Sequence, residues 1–102
     1  MANDMLSLKT DIKNTLSYLR DNRAFSTVNA TEQLINRKGE IDALSDLMKS
    51  GKKQGGFKKL EDLGRLDDLS FESLVIRYAS LFDKDVVALA QWRLDNRNQL
   101  PS

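Results

Sequence analysis

The groups in this chain that could do chemistry are carboxylates, amines and hydroxyls, because it contains neither histidine nor cysteine. That removes the usual neutral-pH proton shuttle, the thiolate nucleophile and every imidazole or thiolate metal site. The acids fall in pairs at Asp67-Asp68, Asp83/Asp85 and Asp42/Asp46. Two carboxylates can activate a water or share a Mg²⁺ when they converge in one cleft. Neither the spacing nor the context of these pairs implies convergence, and acids near helix starts serve as caps and complement the helix dipole. The sequence therefore predicts no catalytic, metal-binding or cofactor-binding residue, no cofactor, no small-molecule substrate and no enzyme.

Amines are concentrated in one place. Lys49 to Lys59 holds five lysines and no acid, whereas Glu61 to Glu72 holds five acids against Arg65 alone. A phosphate-binding P-loop needs four residues between its glycines, then Gly-Lys-Ser/Thr opening a helix after a strand. Gly51-Lys52-Lys53-Gln54-Gly55-Gly56-Phe57 does not fit that pattern. What survives is a looser candidate, in which Lys52, Lys53, Lys58 and Lys59 touch a phosphate backbone or an acidic partner surface. The competing reading is a flexible, solvated loop, and the net charge of +1 is far from that of a typical nucleic-acid binder.

A second candidate runs from Ser73 to Arg97. Helix-turn-helix units place a small residue where the second helix crosses the first and an apolar residue late in the second helix. Ala79 and Trp92 stand at a suitable interval, with Leu89 in phase between them. Gln91, Arg93, Asn96 and Arg97 would then read bases or hold phosphates. Against this stand Asp83 where a turn glycine is common, Lys84 where an apolar anchor is usual, and Asp85, which would aim a negative charge at DNA. The competing reading is a helix pair with Trp92 packed in the core. Asn29-Ala30-Thr31 matches a glycosylation sequon but serves better as a helix start.

These residues are to be carried by helices. The only proline is Pro101, so nothing rigid interrupts the backbone before the tail. Met5, Leu8, Ile12, Leu16 and Leu19 form one helical stripe, predicting a helix over 3–21 with Asn3 or Asp4 as its cap. Ala24 to Val28 is expected to be a connector that tucks Phe25 into the core. A second helix is expected over 30–49, with Gly39 either tolerated within one bent helix, the favoured reading, or closing one helix before another. A Gly/Lys loop at about 51–56 follows, then a short helix over 57–63 ended by Gly64. Ser70 or Asp68 caps a helix over 71–82, Asp83 starts another over 84–96, and 97–102 is expected to fray.

The expected fold is therefore all-α, one domain of four or five helices. At 102 residues it is long enough to bury roughly two-thirds of its unfolded surface. No apolar run is long enough to span a bilayer and no secretory leader is evident, so the expected location is cytoplasmic, away from membranes. Helices over 30–48 and 71–96 carry more apolar positions than a narrow stripe needs, including Ile35, Leu47, Val87 and Leu94, and some are expected to form an interface. The functional expectation is a binding or regulatory protein acting through a protein partner or as a homodimer, of the kind common among accessory proteins of bacteria and phages. A helix-turn-helix DNA-binding regulator is the alternative, and a carboxylate/Mg²⁺ enzyme the least favoured reading.

Overall fold

Leu8, Ile12, Leu16 and Leu19 recur at helical spacing and lie within 6% of complete burial, which fixes the orientation of α1, Asp4–Asp21, in the computed structural model of residues 4–101. Asn3, one of the two expected caps, and Ser102 lie outside the described residues. The Thr15 hydroxyl on the same face donates to the Leu69 carbonyl at 2.6 Å, satisfying a polar group that the core encloses. A tight turn with Arg23 at φ 67° leads into α2, Phe25–Lys38.

That helix starts earlier than the spacing predicts. The Ala24 carbonyl accepts from the Val28 amide at 3.0 Å, so the expected connector is already the first turn. Val28, 1% exposed, fills the core, while Phe25 is 54% exposed and does not tuck in. Residues 30–49 are not one bent helix. Gly39 adopts φ 85°, ψ 166°, a conformation open to little but glycine. Its amide donates to Ile35 O at 2.7 Å, closing α2, and its carbonyl accepts from the Ala43 amide at 3.0 Å, opening α3, Glu40–Lys49.

The expected loop is shorter than 51–56, because Gly55 and Gly56 form the first turn of α4, Gly55–Asp62. A Cβ on Gly55 would stand 2.4 Å from Thr27 Oγ1 and one on Gly56 3.1 Å from Thr27 Cγ2. These glycines serve the close approach of α4 to α2, not looseness. α5 is a single turn, Leu66–Leu69, and Ser70 both ends it and caps α6, Phe71–Arg77, by accepting from the Ser73 amide at 3.0 Å. The expected helix over 71–82 therefore stops at Arg77. A 3-10 turn, Ala79–Leu81, precedes α7, Lys84–Asp95, where the Asp83 carbonyl accepts from the Val86 and Val87 amides.

The tail does not simply fray. A 3-10 turn at Arg97–Gln99 brings Leu100 to 8% exposure, and the Pro101 carbonyl accepts from the Lys53 amide at 2.8 Å. The described residues thus form seven α-helices and two 3-10 turns with no strand. The all-α class holds, while the expected four or five helices become seven because Gly39 divides the stretch 30–49 and Leu66–Leu69 forms an additional turn ahead of Ser70. α6 packs on α7, α3 on α2 and α7, and α1 on α2 and α6, around one cluster that includes Leu44, Phe57, Leu74 and Val86. Burying side chains of this size contributes about 1.5–3 kcal/mol each. Among the described residues no helix is long and apolar enough to cross a membrane.

Candidate interaction surface

α7 has two faces of opposite and unexpected character. At 3.6 residues per turn, Val86, Ala90, Arg93 and Leu94 fall on one side, and Asp85, Leu89, Trp92 and Asn96 on the other. The first four are at most 9% exposed. On the other side Leu89 is 36% and Trp92 47% exposed, beside the exposed Ala88 and between the carboxylates of Asp85 and Asp95. Apolar spacing alone places Trp92 in the core, and the structure corrects that: the core phase belongs to Arg93.

Arg93 is 1% exposed and its guanidinium is almost fully used. Nε donates to Glu72 Oε2 at 2.7 Å, Nη1 to the Ser50 carbonyl at 2.7 Å, and Nη2 to the Lys52 carbonyl at 3.1 Å and to Gln54 Oε1 at 2.7 Å. Its plane lies over the Phe57 ring, 5.4 Å from the centroid. Glu72 is itself 3% exposed. Burial pushes its carboxyl above the usual carboxylate range, and the Arg93 guanidinium opposes that push without cancelling it. One side chain of α7 therefore fastens the segment between α3 and α4 to the core.

The lysines of that segment are held apart rather than gathered. Lys53 Nζ donates to Glu61 at 2.7 Å with only 14% of its side chain exposed, and it lies over the same Phe57 ring. Lys52 and Lys58 point to solvent and Lys59 is half-buried. The candidate readers on α7 are likewise dispersed. Arg93 faces inward and so cannot reach a nucleic acid, Gln91 donates to Asp95 at 2.9 Å, and Arg97 donates to Asp67 at 2.9 Å and to the Leu94 carbonyl. Asn96 caps its own helix by donating to the Trp92 carbonyl. Lys53 and Arg93 are brought together at Phe57, but as packing on a ring rather than as an open cradle. Ala79, expected at a helix crossing, is exposed in the 3-10 turn.

Three of the paired acids find separate basic partners, and Asp42, Asp46 and Asp83 line one cleft together with Lys38 and Lys49. Asp67 meets Arg97, Asp68 meets Arg65 at 2.6 Å and Asp46 meets Lys38 at 2.5 Å. Arg65 and Lys38 hold the Asp68 and Asp46 carboxyls below the usual range. Asp11 accepts from both Arg77 and the Tyr78 hydroxyl, which raises the tyrosine. No group of three acids among the described residues is placed to hold a metal ion.

Of the apolar positions expected to be surplus, Leu94 is buried and Ile35, Leu47 and Val87 are half-buried against the core. The large apolar side chains left outside are Leu6, Phe25, Leu63, Leu89 and Trp92. The signal that could have exposed the error on α7 was Arg93, seven residues after Val86 and three after Ala90, in the core phase. Comparison of the chain with profiles of known families, with curated proteins and with solved structures finds no match.

Proposed function

We propose that this chain is a non-catalytic binding protein that engages another protein through the outward face of α7, with Trp92 and Leu89 as anchors. The observation that supports this is the inversion on that helix: its arginine is drawn inward while its tryptophan is left nearly half exposed. Tryptophan concentrates binding energy at interfaces because it is large, rigid and amphipathic. Asp85 and Asp95 at the ends of the patch favour a partner that surrounds an apolar pocket with basic groups, and repel phosphates. Of the arginine and lysine positions that a DNA-binding reading needs, Arg93, Arg97 and Lys53 are occupied by internal pairs.

The test is affinity capture from host extract with the full chain and with Trp92→Ala, followed by identification of what is bound. A protein held by the wild type and released by the variant supports the reading, provided both chains have the same helical circular dichroism. Equal capture by both, or recovery of nucleic acid in a salt-sensitive manner, overturns it.

A further inference from the structure

A second surface, distinct from α7, lies along the hairpin of α1 and α2. Its floor is Ile12, Leu16 and Ile35, and Leu6 stands at its rim 63% exposed, the most exposed of the large apolar side chains among the described residues. The two walls carry opposite charge. The α1 wall presents Lys9 and Lys13, and the other wall presents Glu32 from α2 and Glu40 from the start of α3. Glu32 also receives Arg20 at 3.1 Å, through side chains that are both nearly half exposed.

A groove with one basic and one acidic wall has a particular symmetry. Rotation by half a turn about an axis along the groove lays the α1 wall of one copy over the α2 wall of another, so each lysine pair meets the other copy's acids. The same rotation does this twice, as an isologous interface requires. The rotation keeps each residue at its own level along the groove, so Leu6 of both copies closes the same end of the shared groove and leaves water there. A partner with one sign of charge would match one wall and be repelled by the other, whereas a second copy of this chain complements both walls at once.

We infer that the α1–α2 groove is a self-association surface, closed by a second copy in a two-fold pair with Leu6 as the reciprocal apolar contact and the Lys9/Lys13 and Glu32/Glu40 walls facing each other. This leaves α7 outside the pair and available to its own partner, so the two proposals stand or fall separately.

The experiment is sedimentation equilibrium at low salt across a concentration series, on the full chain and on two charge-reversed variants. Lys9→Glu with Lys13→Glu makes both walls acidic; Glu32→Lys with Glu40→Lys makes both basic. The wild type is expected to pair. Each variant alone is expected to pair on the order of a hundredfold more weakly, and an equimolar mixture of the two to pair again. Circular dichroism confirms that each variant is folded, and recovery in the mixture is a result that misfolding cannot produce. A wild type that stays monomeric, variants that pair undiminished, or a mixture that does not recover would each overturn the inference. Trp92→Ala should pair as the wild type does; loss of pairing there would place the contact on α7 and refute the groove.

Discussion

The inward and outward faces of α7 invert the usual distribution, and the inversion separates what the fold needs from what it does not. Inside, a charged side chain occupies a core position. Desolvating an arginine and a carboxylate costs several kcal/mol, and their mutual attraction offsets this only when the remaining donors are satisfied. Here they are, by the Ser50 and Lys52 carbonyls and Gln54, so Arg93 is explained by the segment that it ties down. Outside, Trp92 is 47% and Leu89 36% exposed, so each commits only part of its apolar surface to the fold. A polar group inside has a structural account; an apolar pair outside is what the proposed partner would cover.

The sharpest way to break that contrast is to remove one member of the buried pair. Arg93→Met leaves Glu72 unpaired among apolar neighbours and strips three acceptors of their donor, and should cost about 3–5 kcal/mol in urea unfolding. Replacing both, as Glu72→Leu with Arg93→Met, should recover much of that loss because no charge is then stranded. Recovery would show that the pair specifies the conformation of the 50–54 segment more than it stabilises the whole.

Next in size is the hinge between α2 and α3. Gly39→Ala has open space for its Cβ, but φ 85° strains any other residue, and about 1–3 kcal/mol of stability should be lost. A fully tolerated alanine would mean that α2 and α3 can merge into the single helix that the apolar spacing suggests.

A smaller effect follows from pH. Glu72 has a raised carboxyl in the folded chain, so the folded state holds its proton longer than the unfolded state does. Stability from this group is present below the ordinary value of about 4.3 and is lost as pH rises from there through the folded pKa. Asp46 and Asp68, held low by exposed partners, act in the opposite sense and weaken the fold only as pH falls below the ordinary range. Urea midpoints of wild type and Glu72→Gln, followed upward from pH 4, should therefore separate, the wild type alone losing stability. Parallel midpoints would show that Arg93 fully offsets the burial.

The smallest effect on the fold is expected at the outward face. Trp92→Ala and Leu89→Ala should each lower unfolding free energy by about 1 kcal/mol, less than a fully buried side chain of that size contributes, because each is partly exposed. A larger loss would make Trp92 a packing residue and remove the contrast between the two faces.

The all-helical class and the stripe of α1 were legible because apolar side chains at three- and four-residue intervals bury as one line. So was the Ser70 cap, since a hydroxyl before an apolar run satisfies a free amide. Gly39 was harder, because periodicity continues across it and only its backbone angle separates the two helices. Gly55-Gly56 read as a loop because glycine's use in close approach to Thr27 depends on a contact 28 residues away. On α7 the error was one of phase. Trp92 drew the eye to the core, yet Val86 and Ala90 set a stripe on which the next residue is Arg93, and a charge there is legible only once Glu72 is known to lie opposite.

Trp92 is the sole tryptophan, so its emission reports directly on the outward face. In the free chain the indole should emit as a solvent-exposed group and be quenched readily by acrylamide. On addition of the protein captured by the wild type, provided that protein lacks tryptophan, the account predicts a blue shift and loss of quenching. A complex that forms with both properties unchanged would show that the partner binds elsewhere and that the outward face of α7 is not the site.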